Sequence, residues 1–126
     1  MLMKRRNRRD MNRPNKYKAT KIETTAGKFD SKLEFKRYLY LKDLQEKGLI
    51  SDLVRQVPYT LIPSQKDHTG KVIFREIRYV ADFVYRLPTG EQIVEDTKGI
   101  VLDVFKIKQK LMYYFFGIEV KVIRKW

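Results

Sequence analysis

Two acidic residues and one lysine occur where a predicted β-hairpin would bring their side chains together. Residues 79–99 contain two runs rich in β-branched and aromatic residues, separated by a Pro-Thr-Gly sequence that is typical of a short hairpin loop. With a three-residue loop, opposed positions sum to 178, so Asp82 lies opposite Asp96 and Lys98 falls on the same face. A loop of two or four residues would put Glu95 in place of Asp96.

This arrangement has a chemical and a purely structural interpretation. Two carboxylates a few ångströms apart repel each other unless a positive charge lies between them, and their hard oxygen atoms suit Mg²⁺ or Mn²⁺. A neighbouring lysine can orient water or offset developing negative charge. The structural interpretation is a cross-strand salt bridge on a solvated face. Because Asp82 lies between Ala81 and Phe83 in an apolar strand, where an acid needs a partner, the sequence favours the metal site.

Length and composition restrict the class of protein. A chain of 126 residues with 43% hydrophobic and 13% aromatic residues is typical of one folded domain. Its net charge of +13 attracts polyanions, nucleic acid first and anionic membrane surfaces second. The absence of cysteine excludes disulfides and cysteine-ligated zinc, and the lone His68 lies in a predicted polar turn. The longest apolar run, residues 111–118, is far shorter than the ~18 residues that cross a bilayer. The first residues also lack the apolar pattern of a signal peptide. We therefore expect a cytosolic protein without membrane partners.

The first 17 residues form a basic segment that is distinct from the rest of the chain. They carry seven basic residues and one acid, a net charge of +6, and have little apolar surface to bury. We predict a flexible arm at 1–17 that contacts DNA phosphates, followed by one domain at 18–126. The alternative is a solubilising tail or a localisation signal. The basic residues of the arm are Lys4, Arg5, Arg6, Arg8, Arg9, Arg13 and Lys16.

Further elements are predicted around the central hairpin. Two helices are predicted, one from Ser31 to Lys47 that ends at Gly48 and one at 104–116 that is capped by Asp103 and ends at Gly117. The other elements are a small hairpin at 18–30 and strands at 53–62, 71–87 and 118–123. Pro58 favours a sheet edge or a bulge for the first of these strands, and the long run at 71–87 is expected to bend. Glu34 stands at the third position after Ser31, so one interpretation limits its role to the hydrogen bond of a capping box.

The second predicted helix has an apolar and a basic side. Helical periodicity predicts a buried stripe made of Val104, Ile107, Leu111 and Tyr114 or Phe115. Lys106 and Lys110 lie on another face, where they would suit phosphate groups. The alternative, purely structural interpretation is that these two lysines lie on a solvated edge of the helix.

The order helix, strand, strand, strand, helix, strand, with a charged face on the middle hairpin, resembles the PD-(D/E)xK nuclease superfamily. The resemblance implies an α/β (α+β), restriction-endonuclease-like αβββαβ core with a mixed central sheet flanked by helices. Asp82 matches the first Asp of its motif, Asp96-Thr97-Lys98 matches (D/E)xK, and Glu34 matches a glutamate that many members carry on the first helix. Ala81 stands where the superfamily name has Pro.

Three sequence blocks resemble small phage and prophage proteins related to Holliday-junction resolvases and to phage endonucleases that cut branched DNA. The blocks are residues 29–34, 79–83 and 94–99. Lys106 and Lys110 differ from the Gln and Tyr pattern of some resolvases, which leaves the closest subfamily open.

The resemblance implies a magnesium- or manganese-dependent endonuclease. Asp82, Asp96 and the Thr97 carbonyl would hold the metal, Glu34 a second metal or a water molecule, and Lys98 would position the attacking water. The arm, Lys106 and Lys110 would hold the DNA backbone. Resolution of a junction requires two nicks and hence a homodimer, for which Tyr113 and Phe116 offer apolar surface. The alternatives are a nuclease of the same fold that acts on ends, flaps or single strands, and a non-catalytic nucleic-acid-binding protein.

Overall fold

The structure, a computed structural model, describes residues 21–24 and 27–124. The predicted arm at 1–17 therefore lies outside the described residues. In chain order the elements are β1 (Ile22–Thr24), β2 (Gly27–Phe29), α1 (Lys32–Glu46), β3 (Ser51–Ile62), β4 (Gln65–Lys66), β5 (Val72–Phe74), β6 (Ile77–Arg86), β7 (Gln92–Thr97), α2 (Asp103–Phe116) and β8 (Lys121–Ile123).

A four-stranded mixed sheet forms the centre of the described part of the chain. Its strand order is β3-β6-β7-β8, with antiparallel pairs except for β7 and β8, which run parallel because α2 connects them as a crossover. Strands β1 and β2 form one small hairpin, and β4 and β5 form another. Without these two hairpins the order is αβββαβ, so the predicted mixed α+β fold is confirmed.

The central hairpin has the register that the sequence predicts. Val84 pairs with Val94 and Phe83 with Glu95, so paired residue numbers sum to 178. Gly90 adopts a φ of 89°, a conformation that glycine reaches without a steric penalty, and closes the three-residue loop. This register brings Asp82 level with Asp96.

Two apolar clusters hold the helices on the sheet. One contains Phe105 and Met112 of α2, and the other contains Leu41 of α1. Ala81 belongs to the α2 cluster and Phe83 to the α1 cluster, although residues two apart share a face in a regular strand. The alternation of β6 therefore breaks at Asp82, between these two residues.

The second helix differs from its prediction at its start. Asp103 is the first residue of the helix, Leu102 is the N-cap, and no side chain caps the free N–H groups. The prediction of Asp103 as the cap was therefore wrong. The carboxylate still lies in the first turn, where it interacts favourably with the helix dipole.

The buried stripe of α2 was also predicted wrongly. The helix buries Phe105 and Met112, with Leu111 partly buried, whereas the other predicted members are exposed. Those exposed residues are Val104, Ile107, Tyr114 and Phe115. Apolar side chains lie on several sides of this helix, so periodicity alone could not identify the side that packs on the sheet.

Strand boundaries also differ from the sequence prediction, and β3, predicted at 53–62, begins at Ser51. The long strand predicted at 71–87 is interrupted after Phe74 and resumes at Ile77, which separates β5 from β6. The last strand is Lys121–Ile123 and starts later than predicted. The edge position predicted for the Pro58 strand is confirmed, because β3 is the first strand of the sheet.

Candidate active site

Asp82 is fixed to the neighbouring strand by hydrogen bonds from Thr97. Its Oδ2 accepts a hydrogen bond of 2.8 Å from the Thr97 backbone N–H and one of 2.7 Å from the Thr97 hydroxyl. The side chain lies where the alternation of β6 breaks, and it is half-buried. These bonds orient one carboxylate at the middle of the hairpin.

Asp96 is the buried partner of Asp82, with only 2% of its surface exposed. Its Oδ2 accepts a 2.9 Å hydrogen bond from the Tyr79 hydroxyl and lies 3.4 Å from the Lys98 ammonium. Burial, together with the adjacent Asp82 carboxylate, raises the pKa of Asp96 to about 8, although Lys98 and Tyr79 oppose this rise. Without a bound cation, Asp96 therefore holds its proton to a higher pH than an exposed aspartate does.

Lys98 lies at the solvent opening of the carboxylate pair. About a third of its side chain is exposed (31%), and its Nζ lies 4.8 Å from the centre of the Phe105 ring. The ring face attracts the ammonium and restricts where it can point. The group is thus oriented and still accessible to water.

Glu34 forms the predicted helix cap and also lies close to the Asp82 carboxylate. The Ser31 hydroxyl accepts a 3.1 Å hydrogen bond from the Glu34 backbone N–H, which confirms the predicted cap. The Glu34 carboxylate bonds to the backbone N–H of Asp30 at 2.9 Å, one residue before the cap. It is 1% exposed, and burial, followed by the charge of Asp82, raises its pKa. Glu34 is thus a cap residue that also belongs to the carboxylate cluster.

Gln56 is a site residue that the sequence analysis did not identify. Its amide donates one hydrogen bond of 2.9 Å to Glu34 and one of 3.2 Å to Asp82, and so connects the two carboxylates. Its φ is 54°, a left-handed conformation that is strained for a residue other than glycine. A glutamine inside an apolar strand, level with Asp82 on β6, was the available signal.

Glu95 is excluded from the site by its position. Arg37 binds both of its carboxylate oxygens, at 2.8 and 2.6 Å, and the Tyr85 hydroxyl also donates to it. Glu95 is 2% exposed and stabilises the packing of α1 on the sheet. The alternative register, which would have put Glu95 beside Asp82, is therefore contradicted.

Two adjoining surface depressions contain the site. One includes Glu34 and Asp82, and the other includes Asp96, the exposed Arg78 and the half-buried Lys108. Lys98 lines both depressions.

The predicted DNA-contact lysines lie elsewhere on α2. Lys106 and Lys110 are exposed and line neither of the two depressions, whereas Lys108 lines one of them. Lys106 lies 3.9 Å from Asp103. The predicted contacts of the arm, from Lys4 to Lys16, fall outside the described residues.

The donor atoms of the site fit a hard divalent cation. Among residues 21–24 and 27–124, no group of three or more Asp, Glu, His or Cys side chains is close enough to hold a metal. Mg²⁺, however, is usually bound by one or two carboxylates, with water and phosphate oxygens completing its shell. Asp96 is buried beside the Asp82 carboxylate, and its pKa is raised. A cation bound between these two carboxylates would stabilise their ionised forms.

The chain belongs to the DUF1064 family, described as proteins of unknown function, whose family model matches residues 14–125. No curated protein and no solved structure matched the chain. No helix in the described part of the chain is long and apolar enough to cross a membrane.

Proposed function

We propose that this protein is a metal-dependent endonuclease of the PD-(D/E)xK type that hydrolyses phosphodiester bonds in branched DNA, as Holliday-junction resolvases do. The observation that carries the proposal is the pair Asp82 and Asp96 on neighbouring strands of an αβββαβ core, with the Lys98 ammonium 3.4 Å from Asp96. The resemblance to phage and prophage proteins supports a role in phage recombination or replication, in the cytosol of a bacterial host.

Each residue of the site has a distinct part in this chemistry. Asp82, Asp96 and the Thr97 carbonyl would hold Mg²⁺ or Mn²⁺. The cation would act as a Lewis acid on the phosphate and would lower the pKa of a bound water molecule. Thr97 and Tyr79 orient the two carboxylates through the bonds described above. Lys98, partly exposed beside Asp96, positions the attacking water and offsets the negative charge that develops on the phosphate.

Glu34 and Gln56 support the pair from the other side. The Gln56 amide holds the Glu34 and Asp82 carboxylates at a fixed separation, which prevents their mutual repulsion from turning Asp82 away. Glu34, whose Oε1 also lies 3.5 Å from the Arg55 guanidinium, would offer an oxygen ligand to a second cation or an ordered water molecule.

DNA binding rests on charge and position. The net charge of +13 favours association with phosphates without sequence readout. Lys108 and Arg78 line the same depression as Asp96, so they can hold the strand at the site. Lys106, Lys110 and the basic arm would extend the phosphate contacts.

A homodimer completes the proposal. Resolution of a four-way junction requires two nicks related by near two-fold symmetry, and each chain supplies one carboxylate pair. Tyr113, which is 63% exposed, lines an apolar depression that contains neither Asp82 nor Asp96, and Phe116 on the same helix is 45% exposed. These aromatic side chains offer a contact surface.

The test is a cleavage assay on a four-way junction, a flap, a linear duplex and a single strand, each with Mg²⁺ or with EDTA. We expect cleavage of the junction with Mg²⁺, slower cleavage of the linear duplex, and none with EDTA. Cleavage confined to flaps or ends would assign a different substrate to the same fold. Binding without cleavage of any substrate would make the acidic hairpin a structural feature of a nucleic-acid-binding protein.

A further inference from the structure

We propose that the hairpin made of β4 and β5 is a wedge that inserts Phe74 between the bases at a DNA branch point; this inference rests on the proposed function and specifies how the site selects its substrate. Three consecutive apolar residues of β5 are exposed: Val72 at 45%, Ile73 at 53% and Phe74 at 62%. The two strands form a sheet of their own, separate from the central sheet. Such exposed apolar residues on a small projection call for a binding partner.

The hairpin is held in shape by its own turn. The Asp67 carboxylate accepts hydrogen bonds from the backbone N–H groups of Thr69, at 2.8 Å, and Lys71, at 3.1 Å. The Asp67 backbone N–H bonds in turn to the Lys71 carbonyl at 2.9 Å. The projection is therefore ordered by local bonds and can present Phe74 in a defined position.

The charges around the apolar residues favour nucleic acid over a second copy of this chain. Four cations, Lys66, Lys71, Arg75 and Arg78, are exposed on the hairpin or at its base, and they outnumber the two acids of this segment, Asp67 and Glu76, the second of which lies 3.9 Å from Arg78. Two such hairpins facing each other across a two-fold axis would bring like charges together. In a complex with DNA, the phosphates on either side of the base step would instead form ion pairs with the cations beside the inserted ring.

The position of the hairpin connects it to the carboxylate pair. Strand β6 runs from the base of the hairpin, at Ile77, to Asp82, a distance of about 17 Å at a rise of about 3.3 Å per residue. Arg78 and Val80 on this path line the depression that contains Asp96. A DNA strand seated on Arg78 would therefore reach both the hairpin and the site.

Insertion of an apolar side chain gives a preference for branched DNA. Separation of two stacked base pairs in a continuous duplex costs free energy, and that cost is smallest where bases are already unpaired or unstacked. Stacking of an aromatic ring on a base does not depend on which base is present. The hairpin would thus read the shape of a branch and not its sequence.

The test measures binding in EDTA, so that it does not depend on cleavage. A four-way junction and a linear duplex, each with 2-aminopurine in place of one adenine, are titrated with the wild type and with Phe74→Ala. We expect the fluorescence at the branch point to rise with the wild type and not with the variant, and junction affinity to fall about ten-fold while duplex affinity is unchanged. Phe74→Trp, which retains a stacking ring, should restore both. Leu39→Ala, which truncates an apolar side chain that is 50% exposed on α1, is the matched control and should behave as the wild type.

The outcomes separate this inference from the proposed function. An unchanged ratio of junction to duplex affinity in Phe74→Ala, with an unchanged melting temperature, would overturn the wedge even if the wild type cleaves junctions. Loss of self-association by Phe74→Ala without a change in DNA binding would assign the hairpin to a protein interface and also overturn it. A wild type that shows the fluorescence rise but never cleaves with Mg²⁺ would support the wedge and refute the nuclease. A wild type that does not bind DNA would refute both.

Discussion

At the scale of single residues, Asp96 makes the stability of the cation-free protein depend on pH. Burial and the adjacent Asp82 raise its pKa from 3.8 to about 8 in the folded chain. Between these values the unfolded chain releases a proton that the folded chain retains, so the free energy of unfolding falls as the pH rises from about 4 to about 8. We expect a loss of at least about 1.4 kcal/mol, the equivalent of one tenfold change in proton affinity.

Urea denaturation in EDTA at several pH values measures this dependence. Asp96→Asn cannot ionise, so it should flatten the profile and be more stable than the wild type near pH 8. Asp103→Asn, which changes a side chain that is 96% exposed, is the control and should keep the wild-type slope. Parallel profiles for the wild type and Asp96→Asn would show that Asp96 ionises normally.

Substitution of Glu34 by glutamine distinguishes a capping role from a catalytic one. Glu34→Gln keeps the backbone N–H that donates to Ser31 and an oxygen for the Asp30 N–H, but it removes the charge that lies 3.5 Å from the Arg55 guanidinium. The free energy of unfolding should therefore fall by about 1.5–3 kcal/mol, and the variant should still fold. Loss of the negative charge beside Gln56 and Asp82 should slow junction cleavage about 10- to 100-fold. Single-turnover cleavage and urea denaturation measure the two effects, and near-native turnover would limit Glu34 to the cap.

At the scale of the elements, the left-handed backbone of β3 at Gln56 predicts that glycine is more stable than alanine at this position, the reverse of the usual order in a strand. Glycine normally destabilises a strand relative to alanine. At Gln56, where φ is 54°, any residue with a Cβ is strained by about 1–2 kcal/mol, so Gln56→Gly should be more stable than Gln56→Ala by about 1 kcal/mol.

Urea denaturation of the two variants checks this difference. The same pair of substitutions at Val57, where the backbone is not left-handed, should give the ordinary order with alanine more stable. A more stable Gln56→Ala would show that the left-handed conformation is not imposed by the fold.

The elements also show which features a sequence reveals. The central hairpin was predictable because a Pro-Thr-Gly loop sets the register, and the register alone brings Asp82, Asp96 and Lys98 together. The left-handed backbone of Gln56 was not predictable, because a glutamine inside a strand marks an unusual position but does not reveal its φ. The pairing of Arg37 with Glu95 was not predictable either, because a contact between residues 58 apart leaves no local pattern. The packed side of α2 was missed because its apolar residues do not form one stripe.

At the scale of the whole molecule, the proposed function requires two sites in one assembly. We expect the protein to sediment as a dimer at micromolar concentration and Tyr113→Asp to shift it towards the monomer, because a charge at this exposed ring would be costly to bury in a contact. Leu39→Asp, on an exposed position of α1, is the matched control. A wild type that stays monomeric both alone and on junction DNA would contradict the dimer and favour a flap or end nuclease.

The central claim is that the pair of Asp82 and Asp96 holds the cation for strand cleavage, and Asp82→Asn tests it most directly. The variant keeps one side-chain oxygen, which can accept both hydrogen bonds from Thr97, and it loses the negative charge. It should therefore fold and bind junction DNA at least as tightly as the wild type, since it repels phosphate less. Cleavage of the four-way junction with Mg²⁺, measured on the same samples as binding and beside Asp103→Asn as control, should fall below detection for Asp82→Asn alone. Cleavage by Asp82→Asn at the wild-type rate would contradict the claim.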